Sequence, residues 1–128
     1  MNSIVTKGIE ISVNTLYASQ HSLPKQGRYF FVYFITITNT NDFTVKLLKR
    51  HWDITDAFGM KREVDGEGVV GETPVLEPGE SFSYNSGCDL DSDIGKMSGY
   101  YTMEKLVDST QFHVTIPEFQ MVIPARLN

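Results

Sequence analysis

The chain has one cysteine, Cys88, among 128 residues, so no internal disulfide can form. It also lacks a basic stripe: 11 lysines and arginines stand against 16 acidic residues, for a net charge of -5. Nucleic-acid affinity comes largely from phosphate neutralisation. The nearest basic group, Lys46, Lys49 and Arg50, is offset by Asp42, Asp53 and Asp56, so no nucleic acid is expected as a partner. The longest apolar run, around residues 29–37, falls short of the ~20 residues a spanning helix needs. No membrane insertion is expected. Residues 1–7 lack a basic region followed by an apolar one, so no secretory signal is read. With the lone cysteine, this points to the reducing cytoplasm. No long segment keeps a 3.6-residue period, and no linker, internal repeat or low-complexity run divides the chain. One domain is expected over 1–128, with a core of about 6–124.

What is present reads as short strands. Over the first half of residues 9–17 apolar and polar side chains alternate, as in a half-buried strand. Residues 28–38 are almost all aromatic or β-branched, which predicts a central strand. A third strand is expected from about Phe43 to Thr55. Leu48, Trp52 and Ile54 are assigned to its core face, and Lys49, His51 and Asp53 to solvent. Arg50 falls on the Trp52 face. Its stem is expected to pack near a sheet edge, with the guanidinium reaching water or a carboxylate. A hairpin turn at residues 56–59 leads to a short strand over 60–65. Glu77-Pro78-Gly79-Glu80 suits a type II turn. Strands follow at 81–86, 99–106, 111–116 and 119–123, with a long acidic loop over 87–98 and a break at Pro117. Seven to nine short strands predict an all-β, antiparallel immunoglobulin- or fibronectin type III-like β-sandwich. The fibronectin variant fits better, because the Cys…Trp…Cys signature is absent.

Several segments carry a resemblance. They are Arg50-His51-Trp52-Asp53-Ile54-Thr55-Asp56, Gly66-Glu67-Gly68-Val69-Val70-Gly71-Glu72, Pro74-Val75-Leu76 and Pro78-Gly79-Glu80-Ser81-Phe82-Ser83-Tyr84. Ser86-Gly87, Met97-Ser98-Gly99-Tyr100-Tyr101 and Ile116-Pro117 also belong to the set. In this order they make the chain resemble the ApaG family of small bacterial proteins, with Thr73 standing where glutamine is expected. The resemblance implies an immunoglobulin- or fibronectin-like sandwich without established enzymatic activity. It also implies an association with cobalt resistance and magnesium efflux. Similar domains within larger eukaryotic proteins, including F-box proteins, look like protein-interaction modules.

Candidate sites follow from particular residues. Gly66, Gly68 and Gly71 match the spacing of a dinucleotide fingerprint, which needs a helix start to hold the pyrophosphate. Pro74 and Pro78 follow too closely for that helix, so a conformational loop is expected, with Val69 and Val70 plugging the core. His51 and Asp53 share a strand face and could hold a divalent metal with a third ligand from elsewhere. An EF-hand reading of the acidic stretch from Asp89 fails, because Ile94 and Tyr100 stand where glycine and glutamate belong. No Gly-x-Ser-x-Gly elbow or other catalytic set is visible, and no cofactor is expected. The leading expectation is a non-enzymatic module for an unidentified protein partner. Gly66, Gly68 and Gly71 are the first candidates for its site, and His51 and Asp53 the second. The alternative is a protein responsive to a phosphate compound or divalent cation. Edge strands leave room for a homodimer.

Overall fold

A computed structural model describes residues 2–127. Nine strands form two antiparallel sheets, and no α-helix occurs among the described residues. β1 (Asn2–Thr6), β2 (Ile9–Tyr17), β3 (Tyr29–Asn39) and β7 (Ser81–Leu90) make one sheet in the order β1-β2-β3-β7. β4 (Val45–Asp56), β5 (Lys61–Glu67), β8 (Ile94–Lys105) and β9 (Thr110–Val122) make the other, in the order β5-β4-β8-β9. The short β6 (Val75–Leu76) pairs with the start of β4. The expected sandwich is therefore present.

Its core comes from strand alternation. Ile9, Ile11 and Val13 of β2, with Phe31, Tyr33, Ile35 and Ile37 of β3, point inward from the first sheet. Val45, Leu47, Trp52, Met97, Tyr101, Met103, Val114, Ile116, Phe119 and Met121 answer from the second. Trp52 packs edge-on to Phe119 and Tyr33, with ring centres 5.9 and 5.3 Å away. Such aromatic geometry adds to simple burial.

Four sequence expectations change. Leu48 is not a core residue: a bulge between Leu47 and Lys49 inserts it against β8, so Leu47 turns inward and Leu48 is only half-buried. The acidic loop at 87–98 shrinks to a turn at residues 91–93, because β7 continues to Leu90 and β8 begins at Ile94. Pro117 does not break β9. It sits where the β8–β9 register shifts, on an edge strand that can spare its missing N–H. β1 was not expected. It joins β2 through a two-residue turn in which Lys7 and Gly8 both take positive φ.

β9 and β1 close one side of the sandwich, where β9 packs on both β1 and β2. The other side stays open. There β5 packs chiefly on β4 and overhangs the edge strand β7.

Candidate functional site

Both groups of sequence candidates lie on the β4–β5 hairpin. Its register sets His51 opposite Asp65, Asp53 opposite Glu63 and Arg50 opposite Gly66. Beyond the bulge, odd-numbered residues from Lys49 to Thr55 and along β5 face outward, and even-numbered ones face the sandwich interior.

On the outer face, His51 is gripped by two carboxylates. Its Nδ1 lies 2.7 Å from Asp65 and its Nε2 lies 3.1 Å from Asp53. Two acceptors on one ring favour the imidazolium, in which both nitrogens donate. The hydrogen bond to Asp65 is the main cause of a raised His51 pKa; partial desolvation opposes it, and Asp53 adds to it. The ring stacks on Tyr100 at 4.9 Å, and Tyr100 in turn meets His113 at 4.4 Å. Gly99 makes room for this arrangement, since a Cβ there would overlap the His51 carbonyl oxygen. One ligand atom each from His51, Asp53 and Glu63 can gather within 4.8 Å. Glu63 thus supplies the third donor that sequence spacing did not identify. It sits ten residues along the chain but directly across the hairpin from Asp53.

The glycines have structural duties. Gly66 is inside β5, not in a loop, and a Cβ there would lie 2.6 Å from the Arg50 guanidinium carbon. Gly68 has φ +59, and its Cβ would overlap the Glu72 carbonyl oxygen. Its N–H donates to Leu48 at 2.8 Å, so the loop fastens onto the bulge in β4. Val69 and Glu72 exchange backbone hydrogen bonds of 2.8 and 2.9 Å. Val70 and Gly71 between them both take positive φ, as a type I′ turn demands. Val69 is fully buried, but Val70 is 53% exposed, so only the first valine plugs the core. No helix follows, and the N–H groups of Gly68, Val69 and Glu72 are already engaged. The loop carries the chain across the gap between β5 and β6 at the bulge.

On the inner face, Arg50 reaches no carboxylate among the described residues. Its Nη1 donates to the carbonyls of Glu67 and Gly68, both at 3.0 Å. Arg62 donates to the Asp89 carbonyl and to the Cys88 sulfur, the latter at 3.4 Å. Burial pushes the Cys88 thiol pKa up, with Arg62 opposing that shift. The Tyr84 and Tyr101 hydroxyls hydrogen-bond to each other, and burial raises both phenols.

The family model of the ApaG domain matches residues 19–105 of this chain. Protein ApaG of Brucella canis is 48% identical over 124 residues, covering 97% of this chain and 95% of its own. Protein ApaG of Brucella anthropi is 49% identical over the same length, with the same coverage. A crystal structure described as a putative ApaA protein from Bordetella pertussis superposes with a TM-score of 0.87 at 41% identity. That match covers 91% of this chain and 94% of the other. A protein from Archaeoglobus fulgidus, with TM-score 0.52 and 11% identity over 88% of this chain and 95% of its own, shares the fold alone.

Proposed function

The chain belongs to the ApaG domain family, and from that premise we propose that it is a non-enzymatic module that binds a protein partner through the outer face of β4, β5 and β8. One observation carries the reading. Asp53, Glu63 and Asp65 surround His51, whose ring stacks on Tyr100 with His113 beyond, on one sheet face. Exposed acids on this face suit a partner segment rich in lysine or arginine, through ion pairing. The test is affinity capture from the lysate of the source organism, read by mass spectrometry. Wild type is expected to retain a partner that Glu63→Lys/Asp65→Lys loses and Glu10→Lys, on the opposite sheet, keeps. Equal recovery by all three proteins would overturn the reading.

A divalent cation is the second reading, favoured by the convergence of His51, Asp53 and Glu63. Nitrogen and carboxylate donors suit a first-row transition metal better than magnesium. Because His51 is drawn toward its protonated form, metal and proton compete, and binding should strengthen with pH. Thermal melting with Co²⁺ at pH 8 checks it. Metal at about 100 times its Kd adds about 2.7 kcal/mol of stability. A melting point unmoved by millimolar metal, or moved equally in His51→Ala, would remove this reading.

A further inference from the structure

The overhang of β5 leaves a cleft of about 320 Å³ between the inner face of the β4–β5 hairpin and the edge of β7. This is at the lower end of the range for small-molecule sites. Trp52, Ile54, Val64 and Met97 supply apolar wall, while Arg50 and Arg62 supply charge. The two arginines differ. Arg62 is paired with Asp89, whose carboxylate lies 3.3 Å from Nη2. Arg50 has no carboxylate partner among the described residues, and only its Nη1 finds acceptors there. Its Nε and Nη2 are left as donors on a partly buried side chain. Trp52 lines the same cleft, and its buried Nε1–H also has no acceptor among the described residues.

Buried donors without acceptors are costly and uncommon in native proteins. The Trp52 indole is one such donor, and Arg50 beside it carries solvent-reachable donors, in a cleft whose charged lining residues, Arg50 and Arg62 against Asp89, sum to a single uncompensated positive. We propose that this inter-sheet cleft binds a small organic monoanion, a carboxylate with an apolar body. The carboxylate sits on Arg50, and the apolar body lies against Trp52, Val64 and Met97. Arginine presents paired N–H groups that match a carboxylate. A phosphate dianion fits less well, because Asp89 stands at the mouth and the wall beside the arginine is apolar. The site is separate from the outer face of the hairpin. It stands or falls independently of the partner-binding and cation readings.

The test is nuclear magnetic resonance of the ¹⁵N-labelled protein titrated with benzoate at constant ionic strength. The single tryptophan gives one indole N–H signal, which reports directly on Trp52. A saturable shift of that signal and of the Arg50 Nε–H is expected, with a Kd on the order of 1 mM or tighter for so small a probe. Sodium chloride at equal concentration should not reproduce it. Charge variants at the exposed mouth decide the matter without disturbing the core. Asp89→Asn should tighten benzoate about threefold or more, and Arg62→Gln should weaken it by a similar factor. No saturable shift up to about 50 mM benzoate, well above a binding constant of that order, would overturn the proposal. So would charge variants that leave the affinity unchanged, and inorganic phosphate binding more tightly than benzoate would overturn the assigned class.

Discussion

Gly68→Ala is expected to unfold part of the edge that looks most like a binding loop. Two costs arise together. Alanine at φ +59 pays the left-handed penalty, about 1–2 kcal/mol. Its Cβ would also overlap the Glu72 carbonyl oxygen, which is backbone and cannot swing aside. Moving that carbonyl breaks its hydrogen bond from Val69 and draws Val69 from a fully buried position. Partial exposure of a valine adds about 1–2 kcal/mol. The expected total is about 3 kcal/mol. Gly71→Ala is the internal control. It has φ +80 but open space around its Cβ, so only strain of about 1 kcal/mol applies. Urea denaturation followed by tryptophan fluorescence measures both. With a slope of about 1–3 kcal/mol per molar, the Gly68 variant should lose at least about 1 M in midpoint, and several times the loss of the Gly71 variant. Equal midpoints for the two would refute the steric account of the loop. The same result bears on function, because a binding defect in Gly68→Ala is uninterpretable unless its fold is verified.

Val70→Asn should stabilise the protein by roughly 0.5–1 kcal/mol, since it relieves a β-branched residue at φ +44 and creates the Asn-Gly pair that type I′ turns favour. A lower urea midpoint would contradict this. His51 should titrate above its ordinary 6.5 in ¹H–¹⁵N spectra, and Asp65→Asn should lower the midpoint more than Asp53→Asn. Because the folded value is the raised one, its stabilising contribution is complete below about pH 6.5 and is lost as pH climbs through the folded value. Stability rising over that window on account of His51 would refute the assignment. Asn39→Ala should cost about 2 kcal/mol. Its buried amide donates to the carbonyls of Phe43 and Leu76 at 2.8 and 3.0 Å, and both would lose that donor.

Strands were legible wherever alternation ran unbroken. β2 obeys the period of two from Ile9 to Val13 and β3 from Phe31 to Asn39, and the aromatic density of β3 marked it as central. Errors collect where one residue is inserted. The bulge at Leu48 exchanges the inward and outward sets, so a single parity drawn through β4 fits Trp52 and Ile54 but not Leu47. Pro117 misleads for a related reason, because a bulge on an edge strand accepts a residue that a central ladder would reject. The acidic stretch after Gly87 looked like a loop by composition. Its apolar members, Cys88, Leu90 and Met97, alternate well enough to be buried, and the strands use them.

The outer site was half legible. His51 and Asp53 are two apart on one strand, which sequence shows directly. Glu63 and Asp65 become neighbours only through the hairpin register, fixed by the turn after Asp56, where the Asp56 side chain accepts from Phe58 and Met60 at 2.9 and 3.0 Å. The inner cleft was not legible at all, for a physical reason that the Arg50–Gly66 pair makes plain. An arginine among core-facing residues reads as an anomaly, and a glycine in a glycine-rich run reads as loop flexibility. In the fold they are cross-strand partners: Gly66 gives up its side chain so that the guanidinium can lie flat across β5 and reach two carbonyls. An arginine held this rigidly keeps its remaining donors aimed one way. That is the condition under which a lone charge can act as a recognition element instead of a solvated tip.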